Sequence, residues 1–222
     1  MIPFPIDCQE AEVRFGEVLA LPRTSLQVAP SESVAIMGPS GSGKSTLLSC
    51  IQGLIPPTSG IVMVLGQDQA LATKVQRSDL RRRRMGLIQQ NPDLLPEFST
   101  VENVAFPLLF DGMKRADAVK RAKESLARVD LAHRSNADVR TLSGGEAQRV
   151  AVARALIHPD VALLIADEPT AALDAENAYL VTSLLTSEAT RHDAALILAT
   201  HDRSVASLCS RTVRISREHE TL

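Results

Sequence analysis

Short runs of consecutive apolar residues alternate along this chain with longer stretches in which apolar positions recur every third or fourth residue. Val34-Ala35-Ile36-Met37, Val161-Ala162-Leu163-Leu164-Ile165-Ala166 and Ala194 to Ala199 are the clearest of the first kind. Continuous runs of this length predict strands covered on both faces, as in a parallel sheet. Met85 to Ile88, Gly60 to Gly66 and Thr212 to Ile215 read as further strands. Glu12 to Phe15 and Ser25 to Val28 alternate apolar with polar residues, as half-exposed strands do, with Pro22 and Pro30 as punctuation. Helical spacing appears at Leu47, Leu48, Ile51 and Leu54, closed by Gly53 and Pro56-Pro57. It returns over Val101 to Phe110 and over Lys114 to Val129, where Val119, Ala122, Leu126 and Val129 form the stripe. It then recurs at Val150, Ala153 and Leu156, at Leu180, Leu184 and Leu185, and briefly at Val205 and Leu208. The pattern predicts an α/β fold: a mostly parallel sheet, a strand-rich opening and a helical block inserted between strands of the sheet.

Composition adds bounds to that picture. A chain of 222 residues, 45% hydrophobic and 23% charged, has the make-up of a globular protein with one sizeable core. Net charge is −2, so there is no electrostatic footprint for nucleic acid, and no nucleic-acid partner is expected. Three cysteines, Cys8, Cys50 and Cys209, lie too far apart in sequence to read as a metal cluster; they are expected to be reduced packing residues of a cytoplasmic protein. The opening Met1-Ile2-Pro3-Phe4-Pro5 lacks the features of a signal peptide, and no run approaches the roughly 20 apolar residues that cross a bilayer. Membrane association is therefore expected only through a partner. Gln67 to Arg84 is polar and ends in four arginines, Arg81 to Arg84. A solvated or salt-bridged helix face explains that run better than a phosphate site.

Chemistry enters at the ends of the apolar runs. The first is followed by Gly38-Pro39-Ser40-Gly41-Ser42-Gly43-Lys44-Ser45-Thr46, with helical spacing beyond. Strand, glycine-rich loop with Lys-Ser, and helix are the parts of a phosphate-binding loop. Glycines let several backbone N–H groups face one concave surface, and the helix start adds its dipole. Lys44 is expected to reach the β- and γ-phosphates of a nucleoside triphosphate, and the Ser45 hydroxyl to ligate Mg²⁺. The second apolar run delivers Asp167 and Glu168 at its C-terminal end, where parallel sheets bind ligands. Asp167 suits an ion held through water, and Glu168 suits polarising the attacking water. The third run ends in Thr200-His201-Asp202, which places His201 at the equivalent position. Between them, Ser143 and Glu146 have capping-box spacing around Gly144 and Gly145, and that predicts a helix start able to face an anion. Gln89 to Pro96, polar and with two prolines, reads as a loop able to move. Phe15 is open to two readings, stacking on a base or packing in the core.

With the phosphate loop, Leu142 to Arg149, Ala166 to Pro169 and Thr200 to Asp202 in this order, the chain resembles the ATP-binding subunit of an ABC transporter from about Phe15 to Ile215. Gly38 to Leu48, Leu94-Leu95-Pro96 and Val101 to Val104 are similar in wording to the group of lipoprotein-release, macrolide-export and cell-division ATPases. The resemblance implies a P-loop NTPase core with an N-terminal antiparallel β subdomain over 1–90 and 158–222, and an α-helical subdomain over 91–157 carrying the signature Ser143 to Glu146. It implies ATP and Mg²⁺, with Phe15 on adenine and Gly38, Pro39, Ser40, Gly41, Ser42, Gly43, Lys44, Ser45 and Thr46 around the phosphates. Ser45, Gln90 and Asp167 would serve the metal, and Glu168, His201, Gln90 and Lys44 the catalysis. It also implies dimerisation around ATP, Ala171 to Asp174 as the loop crossing the dimer, and an integral membrane permease holding the protein at the inner face of the cell membrane. Three positions depart from the family pattern. Gln89 stands where an aromatic commonly precedes the loop glutamine, and counting back from Leu94-Leu95-Pro96 selects Gln90. Ala171 replaces a frequent serine, and Glu146 a frequent glutamine. The alternative within the resemblance is an ATPase that regulates a cell-division-like membrane complex without transport. A small-molecule kinase would share the phosphate loop but leave Leu142 to Arg149 without a purpose.

Overall fold

The computed structural model describes residues 4–216; residues 1–3 and 217–222, and with them the reading of the extreme N-terminus, lie outside the described part. In chain order the elements are β1 (Ile6–Phe15), β2 (Val18–Val28), β3 (Ser33–Met37), α1 (Lys44–Ile51), β4 (Ser59–Val64), β5 (Gln67–Asp68), α2 (Lys74–Arg84) and β6 (Met85–Gln89). There follow α3 (Thr100–Phe110), α4 (Arg115–Arg128), α5 (Gly144–Ala155), β7 (Leu163–Asp167), α6 (Ala175–Arg191), β8 (Ala195–Ala199), α7 (Arg203–Ala206) and β9 (Arg211–Arg214).

A four-stranded antiparallel sheet runs β2-β1-β4-β5, and a five-stranded sheet runs β6-β7-β8-β3-β9 with all its pairs parallel. Side chains of the parallel strands alternate between two cores, which is why their sequences are apolar throughout. Leu163 and Ile165 of β7 and Ala195 and Ile197 of β8 face α1 and the antiparallel sheet, with Leu47, Leu48 and Ile51. Leu164, Ala166, Leu196 and Leu198 face the opposite way, onto α3 to α6. β6 and β7 are neighbours in the sheet, yet α3, α4 and α5 all lie between them in sequence. The helical block is thus inserted between adjacent strands, as the sequence predicts.

The arginine run at the end of α2 is spent on structure. Arg81 Nη1 donates to the Gln52 carbonyl at 3.0 Å and Arg84 Nε to that of Asp160 at 2.7 Å, while Arg82 pairs with Asp79 and Asp111. Two expectations need correction. Pro22 does not punctuate: it lies inside β2, a strand of 11 residues. The ladder steps from the pair Val13 and Leu21 to the pair Ala11 and Thr24, so Pro22 sits in an irregular stretch of an edge strand where no N–H is required. Leu180 is not on the buried stripe of α6 but 48% exposed; the stripe runs through Ala178, Val181, Leu185 and Ala189.

Candidate functional site

Register assembles the site. Gln89, Asp167 and Ala199 stand side by side at the C-terminal ends of β6, β7 and β8, with Ile36 of β3 opposite Ala199. Within one or two residues of this row, four different chain segments therefore leave the sheet at one edge: the loop after Met37, Gln90, Glu168 and His201. This is the edge at which open parallel sheets hold ligands. Two adjoining clefts of about 510 and 710 Å³ open there, and Ser45, Gln90, Asp167 and Glu168 line both. Ser40, Lys44, Thr46 and His201 line the smaller one. Both volumes suit a small-molecule ligand.

The loop is built around glycine. A Cβ on Gly38 would lie 2.4 Å from the Ile215 carbonyl oxygen, and Gly43 has φ +106°. A turn from Pro39 to Ser42 folds the loop, and Ser42 Oγ is buried without a hydrogen-bond partner among the described residues. The Lys44 ammonium is turned into the loop, donating to the carbonyls of Gly38 at 2.8 Å and Pro39 at 3.2 Å. It thereby spans the concavity with one proton left over. An orphaned hydroxyl, a lysine and a helix start in one concavity fit a phosphate chain.

Among the described residues, the Ser45 hydroxyl, the Gln90 amide and the Asp167 carboxylate form no hydrogen bond or ion pair of their own, although all three face the same clefts. Uncommitted oxygen donors suit a hard cation such as Mg²⁺, which takes few protein ligands and completes its shell with water and phosphate oxygen. Among the described residues there is no group of three or more His, Cys, Asp or Glu that could hold a metal ion.

Glu168 is the one strained residue of the site: its φ is +48°, and its N–H donates to the Ala199 carbonyl at 2.9 Å. That twist aims the carboxylate at the neighbouring strand end, where Oε2 meets His201 Nδ1 at 2.9 Å. The pair links the ends of β7 and β8 and can move a proton at the cleft. Phe15, read two ways above, is 54% exposed and so is not a core residue. It pairs across the hairpin with Val18, which lines the smaller cleft together with Ala20. That apolar wall was missed from sequence, because nothing in a half-exposed strand marks which of its residues borders a loop far along the chain.

Ser143, Gly144, Gly145 and Glu146 line neither cleft. Ser143 caps α5 by accepting from Glu146 N–H at 3.2 Å, and the Glu146 carboxylate accepts from Ser143 N–H at 2.8 Å. These bonds and Arg134 hold the Glu146 carboxyl below its usual range. Ser143 and Gly144 are exposed, and the first N–H groups of a helix, here those of Gly144 and Gly145, have no partner within it. A Cβ on Gly145 would meet Asn177 Oδ1 at 2.5 Å, so this helix start is packed against the first turn of α6, itself capped by Asp174.

Residues 21–171 match the family described as ABC transporter. Among solved structures, the ATP-binding cassette MJ0796, described as a dimeric structure of a post-hydrolysis state bound to ADP and Pi, is similar at 33% identity with a TM-score of 0.83, covering 95% of this chain and 94% of its own. A second dimeric structure of MJ0796, described as a bacterial ABC transporter cassette, agrees equally well, with the same 33% identity and TM-score of 0.83. CbiO1 from Clostridium perfringens, part of the ABC transporter complex cbiONQ, is similar at 26% identity with a TM-score of 0.88, over 96% of this chain and 85% of its own. The chain belongs to the ABC transporter family and is one of its ATP-binding, ATP-hydrolysing cassettes.

Proposed function

We propose that this cassette hydrolyses MgATP between two copies of itself and passes the resulting motion to an integral membrane permease. One observation carries the dimer: the exposed N-terminus of α5 lines neither cleft of its own chain. Phosphates on the loop of one copy would leave a face open, and the Ser143 to Glu146 helix start of the second copy offers the N–H groups to close it. The dimeric relatives support this arrangement. Lys44 and the backbone from Gly38 to Thr46 hold the phosphates, Phe15 stacks on the base, and Ser45, Gln90 and Asp167 hold Mg²⁺, whose contribution is to neutralise charge developing on the phosphates. Glu168 accepts the proton of the attacking water, with His201 keeping the carboxylate in place. The core over 1–90 and 158–222 binds the phosphates, and the helical part over 91–157 presents α5.

MgATP is expected to double the mass of the Glu168→Gln protein in light scattering. Ser143→Arg in that background is expected to abolish the doubling while one chain still binds nucleotide. A dimer that survives Ser143→Arg, or full-rate hydrolysis by a monomer, would overturn the reading.

No helix of the described residues is long and apolar enough to cross a membrane. An exposed aromatic ridge supports a site for the permease on α3: ring centroids of Phe98 and Phe106 lie 5.9 Å apart and those of Phe106 and Phe110 6.4 Å apart. Phe110 is 72% exposed even with Phe106 beside it, so the row presents a contiguous apolar surface. Replacing Phe106 and Phe110 together by Ser is expected to remove co-purification with the permease and leave the basal ATPase within about twofold, since surface changes away from buried networks cost little. Through the permease the protein would sit at the inner face of the cell membrane.

A further inference from the structure

Gln90 sits in a turn that is gripped from both sides by α5. Gln148, 2% exposed on α5, donates from Nε2 to the Gln89 carbonyl at 2.8 Å. Six residues further along the same helix, Arg154 donates to the Asp93 carbonyl at 2.9 Å and the Pro92 carbonyl at 2.5 Å. Asp93 is itself held at φ +47°, a backbone state that a non-glycine residue keeps only when its surroundings enforce it. Beyond it, the fully buried Asn103 of α3 bonds both the N–H and the carbonyl of Leu95. Between the Gln148 and Arg154 anchors, Gln90 and Asn91 have no backbone tether of this kind among the described residues.

The choice of residues argues for more than packing. Arg154 makes no ion pair among the described residues; its guanidinium is spent on two neutral carbonyls. Partly burying a charge that has no ion pair and only the more distant carboxylate of Asp93 to offset it is costly, and an apolar side chain would fill the same space at less expense. A forked donor earns its place where a loop must keep one shape relative to one helix.

We propose that Gln148 and Arg154 are positioning residues for Gln90, holding the turn of residues 89–93 on α5 so that the Gln90 side chain faces the cleft. This rests on the role for Gln90 proposed above.

A double-mutant cycle tests this with the full-length protein and MgATP. Gln148→Met and Arg154→Met are each expected to lower kcat about tenfold with KM for ATP within about twofold, because a misplaced catalytic contact costs rate rather than binding. Arg154→Lys, which keeps one donor, is expected to recover part of the loss, and it serves as the second variant if Arg154→Met does not fold. In a Gln90→Ala background the same changes are expected to cost nothing further. Equal fractional losses in both backgrounds, or an unchanged kcat with Gln90 present, would overturn the proposal. A fully active Gln90→Ala single variant gives a distinct result: it would overturn the role of Gln90 and the proposal with it.

Discussion

Glu168→Gln is expected to lower ATP turnover by at least about 10²-fold, the range a positioned general base contributes, while nucleotide still binds. Glutamine keeps the size of the side chain and a hydrogen bond to His201, so the cleft keeps its shape; only the capacity to take a proton is lost. The strain at Glu168 makes the substitution informative. A left-handed backbone at a non-glycine residue costs of order 1 kcal/mol, and here it is maintained by the bond from Glu168 N–H to Ala199 and by that from Ala171 N–H to the Glu168 carbonyl. A strain kept at the mouth of a phosphate site, where its effect is to bring a carboxylate within 2.9 Å of His201, fits a residue placed for chemistry. His201→Ala, by contrast, leaves the carboxylate present but unsteered, so a smaller loss is expected. Single-turnover hydrolysis of labelled ATP measures both. Turnover by the Gln variant at a rate near that of the unchanged protein would take Glu168 out of the mechanism.

The residues at this edge of the sheet were legible in the sequence for a physical reason. Strands buried on both faces are written as unbroken apolar runs, and the first polar residues after such a run must lie at the sheet's end. Asp167, Glu168 and His201 are found by counting, as is the loop from Gly38. What counting cannot find is polarity used inside the fold. Gln148, Arg154 and Asn103 read as ordinary helix residues, yet each is turned onto backbone of the loop after β6. Glu188 lies on the buried stripe of α6, 2% exposed, with Arg191 at 3.2 Å and Arg128 of α4 at 3.6 Å. An apolar pattern passes over such a residue, and it chose Leu180 by spacing where the packing chose Val181. Pro22 misled for a related reason: a proline ends a strand only if its missing N–H would have had a partner, and edge position is a property of the sheet.

Gly43→Ala is expected to weaken ATP binding by at least about 100-fold, equivalent to about 2.7 kcal/mol, and to lower the stability of the fold as well. The added Cβ would meet the Ala20 carbonyl oxygen at 2.8 Å and Leu21 Cδ1 and Cα at 3.1 and 3.2 Å, and these belong to β2, which cannot yield without disturbing its pairing with β1. Backbone strain adds to the collision, because φ at Gly43 is +106°. Together the two effects are worth about 2–4 kcal/mol, or roughly 5–15 °C in Tm for a chain of this size. Lys44 and Ser45 follow directly, so any relief of the clash by moving the start of α1 displaces both. Gly41→Ala separates the contributions. Its φ is +76°, but nothing lies within 4 Å of a Cβ there, so only the strain of about 1 kcal/mol should register in Tm. Thermal melts of the two variants, with titration of a fluorescent ATP analogue into each, make the comparison. Equal melting losses would show that backbone conformation alone demands glycine in this loop; a larger loss at Gly43 shows that the loop is seated against the antiparallel sheet, and that the phosphate site and β2 cannot be moved independently.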